Sequence, residues 1–140
     1  MKNMTDHDLE RAHLFRWVAL GQGLYYILTG LWPLLSMRTF QLVTGPKTDR
    51  WLVNTVGVLV LTIGAVLTRA AFRGRVAPDL PLLAMGSAAG LAGIDVIYVA
   101  RSRIARIYLL DALAEATLLG LWAAQLWRSG RDLGAARGRR

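Results

Sequence analysis

The sequence predicts an all-α integral membrane protein, a bundle of four transmembrane helices. Of the 140 residues 54% are apolar, the mean hydropathy is +0.37, and the charges are unevenly distributed. None of the 17 Lys and Arg residues falls within four apolar stretches: Trp17–Leu35, Trp51–Thr68, Leu80–Ala100 and Ile107–Trp127. Each stretch has about 18–21 residues, close to the ~20 that a helix needs to cross ~30 Å of hydrocarbon. A soluble bundle would show a polar stripe along each helix, and the second stretch has none beyond Asn54 and scattered Thr.

The charge pattern divides the chain into three regions and orients it. We expect a cytoplasmic N-terminal segment at 1–16, a membrane domain at 17–127 and a basic disordered tail at 128–140. The four predicted spans are about 17–35, 51–70, 80–100 and 107–127. Eleven of the 17 basic residues lie on the side of the termini, against six on the other side. Because cytoplasmic loops carry an excess of Lys and Arg, this predicts a multi-pass inner-membrane protein with both termini in the cytoplasm. The net charge of +8 is then orientation charge, and no nucleic-acid partner is expected.

The first span combines small residues with polar ones: Gly21, Gly23, Gly30, Gln22, Tyr25 and Tyr26. Glycines let helices approach closely in a membrane, and the polar side chains are expected to form hydrogen bonds between helices. Pro33 is expected to bend or end the helix near the far membrane surface.

The connection after the first span contains Gly45-Pro46, which is a turn signal. This connection is either a lid over a site between the helices or a surface turn, and we favour the surface turn.

Small residues in the second and third spans predict helix packing. Gly57 and Gly64 are seven residues apart, so they lie on one face and indicate a packing seam. In the third span, Gly86-x-x-x-Gly90, with Ala89-x-x-x-Gly93 beside it, predicts a further tight contact.

Three of the nine acidic residues lie inside the last two spans, where lipid disfavours them. Asp95 precedes and Asp111 follows the basic turn Arg101–Arg106, each by five or six residues, so both lie roughly 8–9 Å below it. Glu115 lies one helical turn deeper, on the face of Asp111. An acid at a helix centre costs about 2.5–3.5 kcal/mol on insertion scales, so three of them predict interior partners or a function.

We therefore predict one acidic pocket in the extracytoplasmic half of the bundle. Its predicted catalytic residues are Asp95, Asp111 and Glu115, and its predicted substrate-binding residues are Asn54, Tyr98, Tyr108, Tyr26 and Trp122. In the alternative, the acids have a structural role alone, and the basic side chains of the adjoining turn fold back onto them: Arg101, Arg103 and Arg106.

Crowded carboxylates can place a protonated acid beside an ionised one, which suits acid/base chemistry or a proton relay. Our leading hypothesis is binding of a lipophilic small molecule, with isomerisation, cyclisation or epoxide opening as the chemistry. Glu115 or Asp111 would donate the proton, and ionised Asp95 would stabilise developing positive charge. The first alternative is a proton- or cation-coupled transporter that acts as a homo-oligomer, because four short helices enclose little volume. The second is an accessory subunit whose acids pair with a partner's basic residues. The cytoplasmic half of each span offers no ionisable group, which argues against the transporter.

Other chemistries are excluded by residue type. The chain has no cysteine, and His7 and His13 are six residues apart, outside the ligand spacing of a helix, so no metal site is predicted. Neither His lies in a span, and the chain has no Walker-type glycine loop, so no cofactor is expected.

The first-span pattern Gly21-x-Gly23-x-x-Tyr26-x-x-x-Gly30, the size and the four-span layout resemble the DoxX-like group of small bacterial membrane proteins. This resemblance implies a four-helix membrane fold and an association with quinone or redox partners. The intramembrane acids are also similar, in architecture alone, to those of membrane sterol isomerases and terpene cyclases.

Overall fold

The computed structural model describes the backbone of residues 6–74 and 77–137 and the side chains of residues 13–74 and 77–128. Within these residues the chain is helical and forms no strand. The helices are α1 (Asp6–Leu35), α2 (Met37–Thr44), α3 (Arg50–Arg73), α4 (Leu80–Ala100) and α5 (Tyr108–Arg137). The predicted all-α class is confirmed.

Four of these helices, α1, α3, α4 and α5, are long and apolar enough to cross a membrane. Only 17–33% of each apolar window is buried inside the protein, so most of the apolar side chains face outward. Leu28, Leu59, Leu82 and Leu113 are examples, one from each helix. Water does not favour so much exposed apolar surface, whereas lipid does. The chain is therefore a multi-pass helical membrane protein.

Helices α1 and α3 pack backbone to backbone along a seam of glycines. A methyl carbon built at Gly30 would lie 2.6 Å from the carbonyl oxygen of Gly57, and one built at Gly64 would lie 2.7 Å from that of Gly23. No side chain fits at such distances, so the helices approach as closely as they do because these residues are glycine. The predicted seam on the second span is confirmed, and its partner is the first span.

The tight contact predicted for the third span is wrong. A methyl carbon built at Gly86, Gly90 or Gly93 would have no neighbouring atom within 4 Å. Helix α4 instead buries the opposite face, on which Ala88 and Asp95 lie. Both faces of this helix are apolar, so its sequence does not specify which one turns inward.

The connection between the first two spans contains a short helix, α2, which the sequence pattern does not predict. The hydroxyl of Ser36 caps it by accepting a hydrogen bond of 3.3 Å from the backbone N–H of Thr39. The indole of Trp32 anchors it to α1, since Nε1 donates to Thr39 Oγ1 at 3.0 Å. The helix ends at Gly45, whose φ of +86° suits glycine.

The structure also continues α5 as a helix to Arg137, whereas the sequence pattern predicts disorder from residue 128 onward. Ala, Leu and Arg are good helix formers, and no proline interrupts this segment.

The glycine seam predicts a position-specific effect on stability. Gly30→Ala should lower the free energy of unfolding by about 1–3 kcal/mol, because the added methyl group forces two backbones apart. Gly90→Ala is the matched control, since its methyl group meets open space and raises helix propensity. Both are measured by denaturant titration in detergent. Equal stability of the two variants would show that α1 and α3 do not pack through these glycines.

Candidate functional site

The three intramembrane carboxylates come together in the interior of the bundle. Asp95 on α4 is 6% exposed and Glu115 on α5 is 1% exposed, while Asp111 on α5 is half-buried. Asp95 lies within hydrogen-bonding reach of Asp111 and within electrostatic range of Glu115. Because Asp111 and Glu115 are four residues apart on α5, they present both carboxylates on one face. We call these three residues the acid cluster.

Two adjacent tyrosines of α1 donate hydrogen bonds to the acid cluster. The hydroxyl of Tyr25 donates a hydrogen bond to Asp111 Oδ1. The hydroxyl of Tyr26 donates to Glu115 Oε2 at 2.8 Å. A hydrogen bond to a carboxylate is stronger than one between neutral groups, so these contacts tie α1 to α5 across the core.

A second layer of polar contacts lies at Gln22, one helical turn before Tyr26 on α1. Gln22 is completely buried, and its Oε1 accepts a hydrogen bond of 2.7 Å from Trp122 Nε1. Its Nε2 donates to the backbone carbonyl of Ala84 at 2.9 Å. One side chain of α1 therefore contacts both α5 and α4. Gln22 also lies beside the hydroxyl of Tyr26, which joins this layer to the acid cluster.

No basic side chain among residues 13–74 and 77–128 neutralises the acid cluster. The charged neighbours of Asp95 are Asp111 and Glu115, and the neighbours of Glu115 are Tyr26 and Asp111. The arginines of the adjoining turn are exposed and form no ion pair with these acids: Arg101, Arg103 and Arg106. In the structure, the guanidinium groups of these arginines therefore do not fold back onto the acids.

Two buried oxygens of the acid cluster have no protein hydrogen-bond partner. They are Asp95 Oδ2 and Glu115 Oε1. A buried acceptor without a donor costs about 1–3 kcal/mol, and more when the group is charged. Each of these two oxygens is therefore a buried acceptor that no described protein group satisfies.

The other predicted site residues divide into two groups. Tyr26 and Trp122 are completely buried; Tyr26 bonds to Glu115 and Trp122 bonds to Gln22. Asn54 and Tyr98 are exposed, and Tyr108 is half-buried, with Lys47 Nζ 4.8 Å above the centre of its ring.

The positions of the exposed residues follow from the packing. Helix α3 packs on α1 through Gly57 and Gly64, so Asn54 at its end does not face the α4–α5 side that carries the acids. Tyr98 is exposed although it is only three residues from Asp95, because the buried face of α4 continues from Asp95 to Val99, which is half-buried.

The sequence did not assign Gln22 or Tyr25 to the site, although both were expected to form hydrogen bonds between helices. That expectation is confirmed. Spacing is the sequence signal that could have assigned Gln22 and Tyr25 to the site. Gln22 is four residues from Tyr26 and therefore shares a face of α1 with it, and Tyr25 is adjacent to Tyr26.

Comparison of the chain with models of known families, with curated proteins and with solved structures finds no match. The resemblance to DoxX-like proteins therefore stays a prediction. The fold and the site together define a class, a multi-pass helical membrane protein with a buried acid cluster that has no basic partner among its described residues.

The contact between Gln22 and Trp122 predicts a measurable loss of stability. Gln22→Leu keeps the volume but leaves the indole N–H of Trp122 without an acceptor, so the free energy of unfolding should fall by about 1–2 kcal/mol. Thr62→Val is the control, because the Thr62 hydroxyl is exposed and bonds to Val58 of its own helix. Denaturant titration in detergent measures both. If Gln22→Leu were no less stable than Thr62→Val, the second polar layer would not join the helices.

Proposed function

We propose that this membrane protein binds a lipophilic small molecule in its acid cluster, through a hydrogen-bond donor or a cationic group on that molecule. The observation that carries the proposal is the pair of buried carboxylate oxygens without a protein partner, Asp95 Oδ2 and Glu115 Oε1. A ligand donor would complete their hydrogen bonding, and a positive charge would also offset the crowding of three acids. The ligand would enter from the surrounding lipid, which requires an apolar body.

The tyrosines support this proposal because they orient the acids. Tyr25 donates a hydrogen bond to the carboxylate of Asp111, and Tyr26 donates one to the carboxylate of Glu115. With one oxygen of Glu115 fixed in this way, its other oxygen is held in place for a ligand. Such pre-organisation reduces the ordering cost of binding.

Acid/base turnover of the ligand is an extension of the same proposal. Asp95 and Asp111 lie within hydrogen-bonding reach of each other, and paired carboxyl groups suit acid/base chemistry. Asp111 or Glu115 would then protonate the ligand, and Asp95 would stabilise the positive charge that develops. Isomerisation, cyclisation and epoxide opening are reactions that these two steps support.

The test of binding uses the acid pair of α5. The double variant Asp111→Asn and Glu115→Gln should lose the small molecules that co-purify with the wild-type chain, because it removes the negative charge that recognises a donor or cation. The measurement is mass spectrometry of the organic extract of each purified protein, at matched amounts of folded protein judged by circular dichroism. We expect at least a tenfold reduction, equivalent to about 1.4 kcal/mol of binding free energy.

The matched control removes the same two charges elsewhere. Asp49 and Asp79 are exposed and lie outside the spans, so Asp49→Asn with Asp79→Asn should keep the wild-type extract. The proposal is wrong if the extracts of all three proteins agree, or if the wild-type chain carries no molecule beyond those of a detergent blank.

A second function, proton-coupled transport, is favoured by the line of polar contacts. These contacts run along α5 from Asp111 through Glu115 to Trp122, with Tyr25, Tyr26 and Gln22 beside them on α1. Eleven residues of helix extend about 16 Å, roughly half of the ~30 Å hydrocarbon layer. A transporter would need a further proton path across the remaining half of this layer.

Proton flux into liposomes distinguishes this second function. Vesicles that contain the wild-type chain and an internal pH-sensitive dye should acidify faster than empty vesicles under an imposed pH gradient. Glu115→Gln should remove the difference and Asp79→Asn should keep it. A wild-type rate equal to that of empty vesicles would exclude proton transport by the chain on its own.

A further inference from the structure

A groove on the outer face of α1 and α3 lies apart from the acid cluster, toward the membrane surface on which the termini lie. It is open to the surroundings and has a volume of about 490 Å³, within the ~300–1,000 Å³ of small-molecule sites. Its lining residues are Ile27, Ala65, Thr68, Arg69, Phe72 and Arg73. Four of these six are apolar or bear only a hydroxyl, and the other two are arginines.

The lining residues follow one face of α3 in a defined order. Ala65, Arg69 and Arg73 are each four residues apart, so they form a single stripe along the helix. From Ala65 to Arg73 the stripe is about 12 Å long. The apolar end of the groove, at Ala65 and Ile27, lies toward the middle of the bilayer. The arginine end lies where α3 leaves the membrane.

The two arginines of the groove are available to a ligand. Both are exposed, and neither pairs with an acidic side chain among residues 13–74 and 77–128. Among the residues whose side chains the structure describes, those that line the groove include no acid. The guanidinium of Arg16 lies close to the same end of α3, because its Nε donates a hydrogen bond of 3.1 Å to the carbonyl of Ala71. The positive charge at this end is therefore not neutralised by the described protein residues.

The floor of the groove is apolar. Thr68 lines it, but the Thr68 hydroxyl is buried in the contact with α1, where a methyl carbon built at Gly23 would clash with Oγ1. The groove therefore presents carbon atoms at this level, which suit an acyl chain.

From this order of apolar floor and arginine pair we propose that the groove binds one anionic phospholipid from the leaflet on the side of the termini. An acyl chain lies along Ala65 and Ile27, and the headgroup phosphate is held by Arg69 and Arg73. Guanidinium groups bind phosphate through paired N–H groups. A free anion would use the arginines alone and would leave the apolar floor exposed, so a lipid fits the groove better than inorganic phosphate.

The experiment uses the full chain in dodecyl maltoside and measures lipid binding by native mass spectrometry. The probes are palmitoyl-oleoyl phosphatidylglycerol and the zwitterionic phosphatidylcholine with the same chains. The wild-type chain should retain phosphatidylglycerol in preference. The double variant Arg69→Gln and Arg73→Gln should weaken this binding about 30-fold, since each basic residue near an anionic lipid contributes about fivefold.

Two further variants separate the groove from overall charge. Arg101→Gln with Arg103→Gln removes the same charge from the opposite membrane side and should keep the preference for phosphatidylglycerol. Ala65→Phe fills the groove without changing any charge and should weaken binding of phosphatidylglycerol by tenfold or more. Circular dichroism of each variant verifies its helical content.

The proposal is overturned if the Arg69 and Arg73 variant keeps its affinity, or if the control variant loses as much. It is likewise overturned if Ala65→Phe binds as the wild type does, or if inorganic phosphate displaces the lipid at equal concentration, which would indicate an anion site without a lipid chain. None of these outcomes depends on the acid cluster, so the groove and the proposed ligand function are tested separately.

Discussion

The interior of this bundle depends on hydrogen bonds from tyrosine hydroxyls to carboxylates that have no described basic partner. In lipid, a charged side chain without a partner is costly, and the usual partner is a basic residue. Here α1 supplies phenols instead, from Tyr25 to Asp111 and from Tyr26 to Glu115. Because these bonds connect different helices, the same interaction that makes the acids tolerable also fixes how the helices are arranged.

Helix α1 is central to the fold because its two sides use different kinds of contact. One side carries Gly23 and Gly30 and touches the backbone of α3. The other carries Gln22 and Tyr25 and contacts α4 and α5 through hydrogen bonds, and Tyr26 lies between the two sides, bordering Gly64 of α3 and bonding to Glu115 of α5. The glycine contacts supply close packing of two backbones. The polar contacts supply a unique register, since a buried donor that is shifted by one turn loses its acceptor.

The sequence was sufficient to predict the spans and the depth of the acids. Stretches without basic residues mark the helices, and the positions of Asp95 and Asp111 relative to the turn at 101–106 put both carboxylates at one level. It was not sufficient to predict the rotation of each helix. The third span is apolar on all sides, so its Gly86–Gly90 pair was assigned to a contact, whereas the structure buries Ala88 and Asp95.

Because the sequence does not predict how each helix is rotated, some of the predicted site residues are exposed. Asn54 lies at the right depth but belongs to α3, which packs on the glycine side of α1. Depth follows from residue number along a helix, whereas the neighbour of a helix face depends on tertiary packing. Tyr26 and Trp122, which are also predicted site residues, are completely buried.

The central claim is that α1 and α5 are joined by phenol-to-carboxylate bonds, and a double-mutant cycle measures that bond directly. The free energies of unfolding of wild type, Tyr26→Phe, Glu115→Gln and the double variant are compared in one detergent. We predict a coupling free energy of about 1 kcal/mol or more, at the upper part of the range for interhelical hydrogen bonds in membranes, and none between Tyr26→Phe and Asp79→Asn. Additive effects of Tyr26→Phe and Glu115→Gln, within about 0.3–0.5 kcal/mol, would contradict the account.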